Sequence, residues 1–258
     1  LEKNMPTNGK NILTVKMSNS NNNRILILGG SSDIGIELIN FFFNKNYLVD
    51  SHYNKNSLEL KKIQKKNSNL KLIRVNFDKV DSKNYEKVIK KFFNYNYTSY
   101  INLIGYTDNL SFENTNLSSL SKSLKINFLI PFFITQFIVK KMLKTKFGRI
   151  LNISSIGVKF GGGANNFNYS LSKYNLEFMP AIYKKWAKSN VFINCIRLGV
   201  FNTKIHKRIK NKNINKRINL IPIKRMGKSY ELIPLINYII SEENSFLTGE
   251  VINFSGGE

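Results

Sequence analysis

Arg24-Ile-Leu-Ile-Leu28, followed without a break by Gly29-Gly-Ser-Ser-Asp-Ile-Gly35, decides the fold of this 258-residue chain. Five residues of almost pure aliphatic character have the length and composition of a strand buried on both faces. After the glycines, Ile36, Leu38, Ile39, Phe42 and Phe43 recur at the spacing of one helix face. Strand, glycine turn and helix together aim the unpaired N–H groups of a helix start, and the positive end of its dipole, at a phosphate. Gly29 suits the tight turn and Gly35 a close helix–strand approach, with Ser31, Ser32 and Ile34 between them as further nucleotide contacts. The middle glycine of the dinucleotide fingerprint is absent, its candidate places being held by Ser32 and Asp33. Asp33 reads as a helix N-cap whose carboxylate points away from the cofactor phosphates.

Outward from this stretch, strand-like and helix-like segments alternate. Tyr47 to His52, Leu70 to Asn76, Ser99 to Ile104, Arg149 to Ser155, Val191 to Leu198 and Val251 to Phe254 are apolar runs of strand length. Ser57 to Lys66, Tyr85 to Phe93 and Ser118 to Leu143 carry helical periodicity between them. The alternation predicts an α/β fold, a three-layer doubly wound parallel sheet of Rossmann type, in a single domain over 24–258 with a substrate lid at about 201–217. The second strand leads into Ser51-His-Tyr-Asn-Lys55 with no carboxylate after Asp50. An acidic residue there would bind the adenosine ribose and exclude a 2′-phosphate. Its absence, with Tyr53 at the strand end and Lys55 as a phosphate partner, favours NADP(H) over NAD(H).

The chemistry is centred on Tyr169-Ser-Leu-Ser-Lys173. Four residues apart on a helix, the phenol and the ammonium share a face. The lysine is expected to pull the tyrosine pKa down toward neutrality, giving a group that can donate or accept a proton. Pro131, four residues beyond Asn127, should break the helical ladder locally and free carbonyls. Pro180 should kink the Tyr169 helix beyond its active turns.

Composition excludes some classes. Forty basic against 16 acidic residues give a net charge of +24, but only seven of the basic residues are Arg. Nucleic-acid readers favour Arg for its planar fork, so the excess reads as chain-wide Lys and Asn bias, and no nucleic acid is expected as a partner. The single cysteine, Cys195, permits no internal disulfide and agrees with a reducing cytoplasm. The apolar run Phe128 to Val139 is too short for a bilayer, so no membrane association is expected. Residues 1–23 are polar and begin with Leu; they read as an N-terminal extension, in part an expression remnant, with Met17 a native start.

In this order and spacing the motifs resemble the short-chain dehydrogenase/reductase family in its single-domain form, over Arg24 to Glu258. Gly29 to Gly35 resembles its nucleotide loop, Asp78 its adenine-contacting aspartate, and Asn102-Leu-Ile-Gly105 its Asn-Asn-Ala-Gly turn. Leu198-Gly199, with Thr203 after it, is similar to the segment beside the nicotinamide. Asn127, Ser155, Tyr169 and Lys173 match the catalytic Asn, Ser, Tyr and Lys. The resemblance implies a reductase in which Tyr169 protonates a carbonyl oxygen and Ser155 stabilises it. Lys173 would tune Tyr169 and hold the nicotinamide ribose, and Asn127 would fix a water linking Lys173 to solvent. It implies no metal and a homotetramer or homodimer. A 3-oxoacyl thioester, anionic or carrier-bound and steered by Lys204, Lys207, Arg208, Lys210, Lys212, Lys216 and Arg217, is the first substrate expectation. A keto-sugar or small ketone comes second, and a catalytically idle nucleotide-binding relative is the alternative of another class.

Overall fold

The computed structural model describes residues 23–204 and 214–258. The extension up to residue 22, and lid positions Lys207, Arg208, Lys210 and Lys212, lie outside the described residues. The first half runs β1 (Arg24–Leu28), α1 (Asp33–Asn44), β2 (Leu48–Tyr53), α2 (Leu58–Lys66), β3 (Leu70–Arg74), α3 (Tyr85–Lys90) and β4 (Ser99–Asn102). Helices α4 (Leu117–Leu124) and α5 (Ile130–Thr145) follow, then β5 (Gly148–Ser155), α6 (Phe167–Tyr174), α7 (Tyr183–Ala187) and β6 (Val191–Leu198). The chain closes with α8 (Ile214–Leu220), α9 (Ser229–Ile240) and β7 (Val251–Phe254).

All seven strands lie parallel in one sheet, ordered β3-β2-β1-β4-β5-β6-β7. Alternation along β1 shows why the strand is apolar throughout. Ile25 and Ile27 join α1 and α9 in one core, while Leu26 and Leu28 join α3 and α5 in the other. Each such side chain, fully removed from water, contributes roughly 1.5–3 kcal/mol. The strand order reverses between β1 and β4, and there the carboxyl ends open into a crevice. Register pairs Leu28 with Asn102, Asn102 with Asn152 and Ser155 with Leu198, so the sequence motifs come to one edge of the sheet.

The opposite edge is closed by Arg149, 1% exposed. Its guanidinium donates to the carbonyls of Gly148, Asn190, Ser241 and Asn244 and to Asn190 Oδ1, at 2.7–3.2 Å. It also lies over the Phe147 and Phe192 rings.

Two expectations change. α4 and α5 are joined through a π-helical turn, Lys125–Leu129, giving a continuous 29-residue helix that by length and composition could cross a membrane. In this fold its apolar face, Ile130, Ile134, Ile138, Val139 and Met142, is packed into the second core. The Tyr169 helix is not kinked at Pro180 but ended before it. A 3-10 turn, Asn175–Glu177, is followed by Phe178 in extended conformation, two residues before Pro180.

Candidate active site

A cleft of about 430 Å³ runs along the carboxyl ends of the strands. Gly29, Ser31, Ser32 and Ile34 form one lip, Tyr53 and Asp78 one end, and Gly105, Ser155, Tyr169, Lys173, Gly199 and Thr203 the other wall. These volumes and linings are typical of a cofactor site. The residues present fit a dinucleotide: Gly29 has φ +78°, and a Cβ there would meet the Leu103 backbone at 3.2 Å. The 12-residue helix α1 begins at the cleft floor, where a diphosphate belongs. Gly35, expected among the cofactor contacts, is outside the lining; a Cβ there would lie 2.6 Å from Gly30 Cα, so the close approach it allows is of α1 to the glycine turn.

The catalytic wall is built from β5 and α6. Ser155 ends β5, its Oγ accepts from the Gly157 N–H at 3.2 Å, and its hydroxyl is hydrogen-bonded to the Tyr169 phenol. Lys173, 2% exposed, lies with Nζ 5.9 Å from the Tyr169 ring centre. The ammonium donates to the carbonyls of Ile104 and Ile153, both at 2.5 Å, so it bridges the ends of β4 and β5. Burial lowers its pKa to about 8.

The expected tuning of Tyr169 is corrected here. Burial pushes the phenol up to about 12, the Ser155 hydroxyl opposing this, while the lysine's charge is spent on two carbonyls.

Asn127 is the next of the expected residues. It is fully buried inside the π turn, and its amide is locked onto Tyr106: Oδ1 accepts from the backbone N–H at 2.8 Å, and Nδ2 donates to the carbonyl at 2.9 Å. Nδ2 also reaches Ser172 Oγ on α6 at 2.8 Å. The side chain therefore ties three elements together. Pro131 has no N–H to offer the Asn127 carbonyl, so the helix break takes from that carbonyl its i+4 α-helical partner.

Behind this wall lies a strut that sequence reasoning missed. Glu177, one turn past Lys173, accepts from Ser154 Oγ at 2.6 Å and takes both Nε and Nη2 of Arg197, at 2.9 and 2.6 Å. Arg197 reaches Asn253 on β7, and Ser154 Oγ also reaches the Lys173 carbonyl. The helical spacing of Lys173 and Glu177 was visible, but nothing in the sequence announced Arg197 as partner.

On the nucleotide wall, Ser32 and not Asp33 caps α1, its Oγ accepting from Gly35 N at 3.1 Å. Asp33 instead faces Lys204, Oδ1 to Nζ at 3.0 Å. His52 sits beneath the glycine turn, stacked on Phe77 with ring centres 4.3 Å apart. Its Nδ1 accepts the Gly29 N–H at 3.3 Å, which leaves Nε2 to donate to the Val75 carbonyl at 3.0 Å. Burial holds its pKa at about 4, so the ring is neutral. Asp78 lines the cleft and pairs with Lys122 at 2.8 Å.

Asn102 is fully buried and outside the cleft, holding Asn152 and the Ile104 N–H, so it shapes the turn without facing the cofactor. Lys55 is exposed and outside the lining, where Tyr53, Asn54 and Asn56 stand. Asp50 is consumed in the core by Arg24 and Tyr97.

The comparisons agree with this geometry. The family profile described as enoyl-(acyl carrier protein) reductase matches residues 50–258. A 3-oxoacyl-(acyl-carrier-protein) reductase of Aquifex aeolicus is 34% identical over 158 residues, 61% of this chain and 63% of that protein. The chain thus aligns with less than two thirds of the length of that relative. A reductase of the same name from Buchnera aphidicola subsp. Baizongia pistaciae is 25% identical over 92% of this chain and 88% of its own length. Among solved structures, 4-hydroxyisoleucine dehydrogenase complexed with NADH superposes with a TM-score of 0.81 at 23% identity, covering 92% of this chain and 98% of that one, and speaks to the fold alone. Fold, strand-end motifs and profile together place the chain in the short-chain dehydrogenase/reductase family.

Proposed function

We propose that the protein is a cytoplasmic NADP(H)-dependent reductase of a 3-oxoacyl thioester, working as a homotetramer or homodimer. The observation that carries this reading is the convergence of Ser155, Tyr169 and Lys173 on one wall of a dinucleotide-sized cleft, with the Ser155 hydroxyl bonded to the phenol. The nicotinamide, when bound, supplies hydride to the carbonyl carbon. Tyr169 then gives its proton to the carbonyl oxygen, and the Ser155 hydroxyl holds that oxygen as charge develops on it. Lys173, with its ammonium 5.9 Å from the Tyr169 ring centre, would hold the cofactor ribose and compensate the charge left by the departing proton.

Preference for NADP(H) is supported by the adenosine end, where Tyr53, Asn54 and Asn56 line the cleft and Asp50 is buried elsewhere. An acyl chain is favoured over a sugar because Ile156, Leu198, Val200 and Phe201 line the substrate side, and hydrocarbon walls leave sugar hydroxyls unpaired. Carrier recognition by the lid receives less support than its charge suggested, since Lys204 is paired with Asp33 and Arg217 with Glu258. Self-association is supported by exposed apolar side chains, among them Phe132 on α5, Tyr174 at the end of α6 and Phe178 in the segment after it. The test is loss of NADPH absorbance at pH 7 with acetoacetyl and longer 3-oxoacyl thioesters, set against keto-sugars and with NADH in parallel. Turnover of the thioesters with NADPH is expected; no turnover of any carbonyl compound with either cofactor would refute the reading.

A further inference from the structure

Asp33 stands where the family's loop has its middle glycine, at the first position of α1 on the lip of the cleft. A carboxylate there should compete with a diphosphate for the positive helix end and repel it. The structure shows where its charge goes. Oδ1 is 3.0 Å from Lys204 Nζ, and Oδ2 accepts the Lys204 backbone N–H at 2.6 Å. Lys204 follows Thr203 in the segment after β6, and both line the same cleft as Asp33. Because Ser32 supplies the helix cap, the Asp33 carboxylate is not engaged in capping and is available for this contact. Two residues 171 positions apart in sequence thus meet across the mouth of the nucleotide site.

We propose that Lys204 is a cofactor-positioning residue that neutralises Asp33, and that the pair replaces the missing glycine by a charge-compensated strap over the diphosphate subsite. The proposal rests on the reading of the cleft as an NADP(H) site. It explains how the loop accommodates an acidic residue beside an anionic ligand: the negative charge is held sideways by an ammonium that itself adds a positive field to the subsite. Coupling between two residues, rather than the presence of a cation alone, distinguishes this arrangement from general basicity of the chain.

The test is a four-member cycle, comprising the wild type, Lys204→Met, Asp33→Gly and the double variant, read as NADPH affinity by fluorescence titration with thermal melts as a control for folding. Lys204→Met should weaken binding roughly tenfold or more, since it leaves the Asp33 carboxylate facing the phosphates. Asp33→Gly should bind at least as tightly as wild type, and the double variant should stay within about threefold of Asp33→Gly. Lys204→Arg, which keeps the charge, should remain near wild type. A double variant as weak as Lys204→Met, or a Lys204→Met variant within twofold of wild type, overturns the proposal while leaving the functional reading intact. A wild-type protein that binds no nicotinamide nucleotide overturns both.

Discussion

The two walls of the cleft are built on opposite principles. On the catalytic wall the polar groups are buried and multiply tied: Lys173 to two carbonyls, Asn127 to Tyr106 and Ser172, Glu177 to Ser154 and Arg197. On the nucleotide wall the charges are partly exposed ion pairs, Asp33 with Lys204 and Asp78 with Lys122. Ion pairs of the second kind contribute about 0–1 kcal/mol, whereas removing one member of a buried pair costs several times more. On the proposed reading the chemistry is held by the same contacts that hold the fold, whereas the charge pairs of the nucleotide wall are contacts the fold can do without. Substitutions on the first wall should damage activity and stability together, and those on the second should separate binding from stability.

The largest expected effect is on turnover. Tyr169→Phe removes the proposed proton donor and should lower kcat by roughly 10²–10⁴-fold while NADPH binding stays within a few-fold of wild type. Stopped-flow hydride transfer and fluorescence titration on the same preparation check both halves. A variant retaining wild-type kcat would remove Tyr169 from the chemistry.

Next comes the strut. Glu177→Ala leaves the Arg197 guanidinium and Ser154 Oγ without their partner at the back of the site, and the Glu177 side chain is only 5% exposed. Unfolding in urea should show a loss of roughly 3 kcal/mol, with a fall in kcat exceeding any change in cofactor affinity. Unchanged stability would show that the strut is not part of the framework and would erase the contrast between the walls.

How much of this was legible depended on whether a residue's partner is set by the local chain. β1, β6 and β7 read correctly to the residue, because an aliphatic run ended by Gly or polar residues carries its own limits. Spacing put Tyr169 and Lys173 on one helix face and serines at the carboxyl end of β5; their union in one site was what the family resemblance implied. Three features did not follow. The partner of Asp33 is far away in sequence, so a helix cap was the reasonable local reading, and tertiary pairing with Lys204 overrode it. Lys173's charge was assigned to its helical neighbour Tyr169, but parallel β4 and β5 present two carbonyls at a distance no periodicity encodes. The sequence around His52 names no partner for it; its bond to the Gly29 N–H appears only when β2 is laid beside β1.

That bond yields a pH prediction for the nucleotide wall. His52 has a folded pKa of about 4, below the ordinary 6.5, because burial disfavours the cation. A depressed folded value means the unfolded chain binds the extra proton first as pH falls. The contribution is therefore complete above about pH 6.5 and is lost as pH falls from 6.5 toward 4, by roughly 3 kcal/mol in all. Protonation of the folded protein, which begins only as pH nears 4, removes the Nδ1 acceptor from Gly29, so NADPH affinity should fall at that acid end and not between pH 6.5 and 5. His52→Asn should flatten the acid limb of a chemical-denaturation series between pH 6.5 and 4; a limb as steep as wild type would assign it to other groups.

The smallest effect sharpens the comparison most. Asp78 lies on the cleft, its pair with Lys122 is more than a third exposed on both sides, and the turn around it is held by Asn76 and by the Lys125 ammonium on the Asp78 carbonyl. Asp78→Asn keeps the shape and those backbone contacts, so stability should change by less than about 0.5 kcal/mol. If the carboxylate serves the adenine edge, NADPH affinity should still drop several-fold, with kcat at saturating cofactor unchanged. Binding lost without stability is what a recognition residue laid over a finished fold should show, whereas losing both together would make the nucleotide wall as structural as the catalytic one.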